Sequence, residues 1–233
     1  MLTLATITPN QPEIFASPQG EGPSAGQPCA FVRLSRCNLA CAWCDTAYTW
    51  DWTNHDRKAN QIALSEEDVA ARIAALGQNR LVITGGEPLL QGAALARMAA
   101  LLPGMLIEIE TNGTVPPHPA LAPLVSQYNV SPKLKHSRNP ADLALNFDRL
   151  AAWASEPKAW FKFVISDPED LTEVLKIQQD HAIAPTRIYL MPLGTDSATL
   201  HSRERWLAPL SAAHGFHYSD RLHIHLYGDT RGT

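Results

Sequence analysis

Three cysteines lie within eight positions of the chain, in the segment CNLACAWCDT of residues 37–46. Cys37, Cys41 and Cys44 could act together as metal ligands, because thiolates are soft donors that suit zinc, copper(I) and iron–sulfur clusters. Structural zinc takes four protein ligands, and His55 is the nearest downstream candidate for the fourth. Three cysteines on a four-iron cluster leave one iron free to bind another molecule. The spacing therefore favours a cluster, with zinc or unligated thiols as the alternatives.

Cys29 is the remaining cysteine and lies upstream, in the alternating apolar segment CAFVRL. We expect it to be a small buried side chain rather than a ligand. The amino terminus has no basic segment followed by a long apolar one, so the chain is expected to be cytoplasmic. Disulfides are not expected there, since a chain of this length can bury a core without them. The four thiols should be reduced.

The composition of the 233-residue chain narrows the class of function. With 45% hydrophobic and 18% charged residues, it is expected to form one domain over residues 1–233. The formal net charge is -4 and no run of Lys or Arg occurs, which argues against nucleic-acid binding. No apolar stretch approaches the roughly 20 residues that a membrane-spanning helix needs. A small-molecule substrate is the better expectation.

Apolar, β-branched runs alternate with helical patterns along the chain. Strands are predicted at residues 30–35, 80–84, 106–110, 128–131, 160–166, 187–191 and 222–227. Helices are predicted at residues 64–76 with Ser65 as N-cap, 92–102, 141–154, 168–181, and 198–214 with an irregularity at Pro209. This α/β alternation predicts a parallel sheet, and six to seven βα units predict an incomplete (partial) β/α barrel. The cysteine loop follows the first strand, at the end where such sheets carry functional loops.

Two motifs resemble those of the radical S-adenosylmethionine (SAM) superfamily. The order Cys-x3-Cys-x2-Cys, with the aromatic Trp43 before its last cysteine, is similar to the cluster-binding signature of those enzymes. TGGEP at residues 84–88 follows a predicted strand and resembles the glycine-rich turn that receives the amino group of SAM. Together the two motifs are much more specific than either alone.

Further stretches resemble the 7-carboxy-7-deazaguanine synthase family within that superfamily. They run in order through most of the chain, at residues 17–46, 82–88, 109–114, 130–133, 161–165 and 190–192. QGEG ahead of the cysteine loop and CDT at its end are the most specific parts. The carboxyl-terminal RLHIHLYGDTRGT, residues 221–233, does not match every version of the family, and no role is assigned to it. His223 and His225 would share one face of the last predicted strand and are also left without a role.

The resemblance implies a set of site residues. The proposed ligands of a [4Fe–4S] cluster are Cys37, Cys41 and Cys44. The proposed contacts of SAM are Trp43, Cys44, Asp45, Gly86, Ser131 and Lys133. The proposed substrate contacts are Pro18, Gln19, Gly20, Arg33 and Thr84, with Glu21 and Glu110 as further candidates. Thr46 corresponds to the magnesium ligand of the family.

The implied activity is that of a radical SAM lyase that converts 6-carboxy-5,6,7,8-tetrahydropterin to 7-carboxy-7-deazaguanine with loss of ammonia, in 7-deazapurine and queuosine biosynthesis. A planar anionic pterin should recruit a guanidinium such as that of Arg33 for its carboxylate. The resemblance also implies Mg²⁺ and an electron-donating reductase such as a flavodoxin, and it admits a homodimer. Two alternatives stay open: an activase that takes hydrogen from a glycine of a partner protein, and a zinc-binding module without catalysis.

Overall fold

One sheet organises the computed structural model, which describes all residues from 1 to 233. Its strands are β1 (Leu2–Thr8), β2 (Gln11–Pro12), β3 (Ile14–Pro18), β4 (Pro28–Leu34), β5 (Gln61–Leu64), β6 (Arg80–Gly85), β7 (Leu106–Thr111), β8 (Gln127–Val130), β9 (Ala159–Ile165), β10 (Ile188–Pro192) and β11 (His217–Tyr218). The helices are α1 (Arg57–Asn60), α2 (Glu66–Ala75), α3 (Gly92–Ala100), α4 (Ala141–Ala144), α5 (Phe147–Ser155), α6 (Asp170–Asp180), α7 (Ser197–Ala213) and α8 (Leu222–Tyr227).

Seven neighbouring strands are parallel, in the spatial order β4, β6, β7, β8, β9, β10 and β11. The amino-terminal strands extend this sheet through antiparallel pairs, with β1 and β3 on β4 and with β5 and β2 on β1. Because β11 pairs only with β10, the sheet does not close. The predicted incomplete β/α barrel is confirmed.

Most predicted elements are present. Strands β4 and β6 to β10 lie where apolar runs predict them, and α2 begins after Ser65, whose Oγ accepts a hydrogen bond from the Asp68 amide at 3.0 Å. The predicted helix at 141–154 is divided into α4 and α5, because Asn146 caps the start of α5. Helix α7 is continuous through Pro209, whose ring lies on an exposed face.

One predicted strand is wrong. Residues 222–227 form α8, so His223 and His225 do not share a strand face. Alternation of apolar residues favours a strand, but in α8 it does not mark a buried face, since Ile224 is buried while Leu226 is exposed. Here β11 takes the edge position beside β10, and α8 instead buries Ile224 and ends at Gly228, whose φ is 69°.

The core lies between the sheet and the helices, as a continuous cluster of 38 buried residues. Strand β9 shows how it relates to the site: Phe161 and Phe163 belong to this cluster, while Lys162 between them lines a cavity on the other face. No helix is both long enough and apolar enough to cross a membrane.

Candidate active site

A cavity of about 440 Å³ opens at the carboxyl ends of the parallel strands. Its wall contains every residue predicted to bind the cluster, SAM, the substrate or magnesium. The further candidates Glu21 and Glu110 also lie there, whereas Cys29 and His55 do not. The structure therefore brings the predicted site together in one place, and what each residue binds stays a prediction.

The three cysteine side chains are partly exposed free thiols along this wall, and each sulfur receives an N–H donor. The Leu39 amide donates to Cys37 Sγ at 3.4 Å, Asn139 Nδ2 to Cys41 Sγ at 3.2 Å, and Trp50 Nε1 to Cys44 Sγ at 3.3 Å. Such donors stabilise the thiolate form that ligates iron.

Burial raises the pKa of the Cys37 thiol to about 11 and also raises that of Cys41, so these cysteines are protonated when no cation is bound. No three His, Cys, Asp or Glu side chains are close enough together to hold a single metal ion. The sulfurs and their donors fit a cluster, which takes its thiolates from several sides.

The glycine-rich turn after β6 packs directly on the cysteine segment. A Cβ atom at Gly86 would lie 2.0 Å from the carbonyl oxygen of Arg36, and one at Gly85 would lie 2.1 Å from that of Leu34. The Gly86 amide donates to the Leu34 carbonyl at 3.1 Å, and the Glu87 amide donates to the Arg36 carbonyl at 2.9 Å. Only glycine permits this approach, which leaves the other side of the turn open to the cavity.

Glu87 in this turn is a functional candidate that the sequence analysis did not single out. Its buried carboxylate accepts from the Leu89 amide, the Thr111 hydroxyl and the Asn112 amide at 2.8–3.0 Å. It thereby joins the loops after β6 and β7. Burial is the largest effect on the pKa of Glu87. It raises this pKa to about 7, although the three hydrogen-bond donors act to lower it.

The residues predicted to contact SAM lie beside the cysteine loop. Lys133 Nζ donates to Ser131 Oγ at 2.8 Å, and it lies 5.7 Å from the ring centre of Trp43. The Trp43 ring also stacks on the His136 ring, and its buried indole Nε1 has no hydrogen-bond partner. Lys133 makes no ion pair with a protein carboxylate, so its charge is available to an anionic ligand.

The predicted substrate contacts form a polar network on the next part of the wall. Gln19 Nε2 donates to Glu108 Oε1 at 2.9 Å and to Glu110 Oε1 at 3.3 Å, while the Thr84 hydroxyl donates to Glu110 Oε2 at 2.7 Å. Arg33 donates through Nε to Glu13 Oε1 at 2.7 Å. These groups offer both donors and acceptors to a flat heterocycle.

The carboxyl-terminal tail contributes to a buried charged cluster that the sequence did not predict. Glu21 pairs with Lys162 and, at 3.0 Å, with Arg221 Nε. Burial works against the charged form of Glu21, but the two cations outweigh it and hold its pKa well below the usual range. Arg221 also reaches Asp45 Oδ2 and the Gly194 carbonyl, both at 2.5 Å.

His223 of the tail also explains why position 20 is a glycine. His223 Nδ1 stands 2.1 Å from where a Cβ at that position would lie. A charge inside an apolar strand, as with Lys162 in WFKFVI, was the available signal for part of this cluster. The pairing of Glu21 with Arg221 had no local signal, because 200 positions separate the two residues.

Comparison with known proteins finds the same family that the sequence motifs resemble. The family model of the radical SAM superfamily matches residues 32–132. The chain is 37% identical to a 7-carboxy-7-deazaguanine synthase of Pyrobaculum aerophilum, over 94% of this chain and 95% of that one. It is 35% identical to the enzyme of that name from Halobacterium salinarum, over 95% and 91% of the two chains.

Among solved structures, the fold is similar to the crystal structure of QueE from Escherichia coli, with a TM-score of 0.68, 25% identity and 95% of each chain covered. The cysteine loop, the glycine-rich turn and the QGEG segment thus meet in one cavity of a chain that matches its relatives over nearly their whole length. The chain belongs to the 7-carboxy-7-deazaguanine synthase family of the radical SAM superfamily.

Proposed function

We propose that this chain is a carbon–nitrogen lyase that converts 6-carboxy-5,6,7,8-tetrahydropterin to 7-carboxy-7-deazaguanine with release of ammonia, in 7-deazapurine and queuosine biosynthesis. One observation carries the proposal: the cysteine loop, the glycine-rich turn and the polar substrate network face a single cavity. Its volume of about 440 Å³ suits small molecules. Residues 1–233 act as one catalytic domain.

The radical SAM family implies a [4Fe–4S] cluster and SAM as cofactors, and the donor set fits both. Cys37, Cys41 and Cys44 would hold the cluster. The contacts of SAM would be made by Trp43, Cys44, Asp45, Gly86, Ser131 and Lys133. When bound, the cluster and SAM supply reversible hydrogen-atom abstraction, and the protein contributes position and exclusion of water.

The chain's own residues then bind and orient the pterin. Pro18, Gln19 and Gly20 approach the ring through backbone and amide groups, and Thr84 with Glu110 offers a hydroxyl and a carboxylate to its edge. Arg33 binds the substrate carboxylate, because a guanidinium forms two parallel charge-assisted hydrogen bonds with such a group. Lys162 and Arg221 keep the Glu21 carboxylate ionised, so Glu21 acts there as a hydrogen-bond acceptor.

Magnesium is the third proposed cofactor. Thr46 lies on the cavity wall, two residues beyond the last cysteine, and its hydroxyl is 3.7 Å from Cys44 Sγ. A neutral hydroxyl binds this hard cation weakly, so substrate oxygens and waters would supply most of the octahedron. Mg²⁺ would then engage the substrate carboxylate beside the cluster loop.

The assembly and cellular setting form the last part of the proposal. An electron-donating reductase such as a flavodoxin would supply the electron, the chain would act in the cytoplasm, and a homodimer is a possible assembly. The partly exposed cysteine loop, in which Ala40 and Ala42 are exposed, supports close approach of an electron donor. Size-exclusion chromatography with light scattering tests the dimer.

The activity is tested with substrate deuterated at C6 and anaerobically purified, cluster-loaded protein. Because substrate and product have the same redox level, the hydrogen removed at the start can be returned at the end. We expect deuterium to enter SAM and many product molecules to form for each 5′-deoxyadenosine released. Stoichiometric 5′-deoxyadenosine without label in SAM would indicate an activase instead, and colourless protein that contains zinc and no iron would indicate a binding module.

A further inference from the structure

Arg33 pairs with Glu13, which in turn accepts from Tyr48, and neither of these two side chains has an assigned role. We propose that Glu13 and Tyr48 are positioning residues that fix the Arg33 guanidinium for the carboxylate of the substrate. This inference rests on the proposed function and adds to it the reason why Arg33 would bind that group in one orientation.

Glu13 is a fully buried carboxylate with a fixed backbone. It is 0% exposed, its amide donates to the Ala5 carbonyl at 2.9 Å, and its carbonyl accepts from the Arg33 amide at 3.0 Å. Its side chain accepts from Arg33 Nε at 2.7 Å. A buried carboxylate costs free energy unless it is paired, so the arrangement is specific to a cation at this point.

The bond to Glu13 uses only one edge of the Arg33 guanidinium. Nε is engaged, whereas the two terminal nitrogens, Nη1 and Nη2, donate to no protein group. The side chain is 18% exposed and lines the cavity. Because the guanidinium is planar and its donors form a rigid fork, fixing Nε fixes the plane of the free edge, which can then receive both oxygens of a carboxylate.

Tyr48 fixes Glu13 in turn. Its hydroxyl donates to the two Glu13 oxygens at 3.2 Å and 2.9 Å, so the carboxylate cannot rotate without losing a bond. The guanidinium of Arg231 lies 3.5 Å from the centre of the Tyr48 ring and donates to Asn60 Oδ1 at 2.8 Å, which covers the ring from the tail side. The orientation of Arg33 therefore depends on a buried unit of two residues.

A purely structural role makes a different prediction. If Glu13 only neutralised a buried arginine, its loss would lower stability and leave substrate selectivity unchanged. If it orients Arg33, its loss weakens binding of a pterin with a carboxylate and not of one without, and the effect disappears when Arg33 is absent.

The test measures dissociation constants anaerobically, on cluster-loaded protein with SAM, for 6-carboxytetrahydropterin and for 6-methyltetrahydropterin. Glu13→Ala should weaken binding of the carboxylated pterin roughly tenfold or more and leave the affinity for the methyl analogue within about twofold of the parent. Glu13→Gln keeps an acceptor for Nε and should recover most of the loss, while Tyr48→Phe should weaken the same ligand by a few fold. In an Arg33→Ala background, Glu13→Ala should add nothing.

Glu66→Gln is the matched control, because Glu66 is an ion-paired glutamate outside the cavity wall. Should Glu13→Ala fail to fold, Tyr48→Phe decides, and parental affinity of that variant for the carboxylated pterin would overturn the proposal. Equal weakening of both ligands, or a further loss in the Arg33→Ala background, would also overturn it. If Arg33→Ala itself binds the carboxylated pterin normally, the substrate role of Arg33 is wrong and this inference with it.

Discussion

Arg221 and Asp45 are 176 positions apart in the chain, and their side chains form an ion pair at 2.5 Å. Arg221 belongs to the tail, whereas Asp45 follows the last cysteine of the loop. The same guanidinium pairs with Glu21 of the QGEG segment. The tail therefore joins the segment proposed to bind substrate to the segment proposed to bind SAM.

Arg221→Ala should destabilise the protein and impair the site. It removes one of the two cations that pair with the buried Glu21, and it removes the partner of Asp45, whose side chain is 34% exposed. Because Glu21 keeps Lys162, we expect a loss of about 1.5–3 kcal/mol, below the cost of leaving a buried charge without any partner. Urea unfolding measures this loss, and the KM for the pterin should rise in protein that remains folded. Arg97→Ala is the control: that side chain is 61% exposed in its pair with Glu66, so its loss should cost less than about 1 kcal/mol. Equal costs for the two variants would contradict the proposed link.

Replacement of Cys37, Cys41 or Cys44 by Ala should abolish cluster loading and reductive cleavage of SAM. Cys29→Ala should spare both, because that thiol packs against Phe15 and Phe31 and lies outside the cavity wall. The Cys29→Ala substitution should only lower the free energy of unfolding, by an amount on the order of 1 kcal/mol. Iron analysis and 5′-deoxyadenosine formation with dithionite separate the two results. Cleavage that persists without any one of the three would refute the ligand assignment.

Thr46→Ala should leave iron content unchanged and weaken the response of turnover to magnesium. The hydroxyl is the proposed ligand, so Thr46→Ser should retain most of the response. Initial rates measured over a magnesium titration distinguish the variants. A titration of Thr46→Ala that superimposes on the parent would rule out Thr46 as a ligand.

Stability should fall with rising pH through the titration of Glu87. Burial raises the pKa of this carboxyl from 4.5 to about 7, so the folded chain keeps the proton to a higher pH than the unfolded chain does. This one group should lower the free energy of unfolding by roughly 3 kcal/mol across that interval. Urea unfolding of the parent and of Glu87→Gln at pH 5 and pH 7.5 tests it, since the variant lacks this contribution. The same pH dependence in both proteins would argue against it.

The sequence predicts six of the seven parallel strands, because β4 and β6 to β10 are short apolar runs. The seventh, β11, has two residues and was not predicted. The amino-terminal strands are harder to predict: β2 has two residues, and it exists only through its pairing with β1. The tail is misleading because its alternating pattern favours a strand, whereas β11 occupies the position beside β10 and residues 222–227 form α8.

The candidate site is also predictable from the sequence only in part. Motif spacing predicts the cysteine loop and the glycine-rich turn, since both are local in sequence. The pairs Glu13 with Arg33, Lys162 with Glu21, and Arg221 with Asp45 arise only when distant segments pack together. For two of them a signal existed, in the charged residues Arg33 and Lys162 within otherwise apolar strands.

Strand β9 places two core phenylalanines and one cavity lysine on consecutive positions. Since its side chains alternate, a single inserted or deleted residue would turn Phe161 and Phe163 toward the polar cavity and Lys162 into the apolar core. Folding and activity would fail together, so random length changes here should be absent from any library selected for either property. Engineering of the pterin pocket can therefore exchange residues in β9 but cannot change its length.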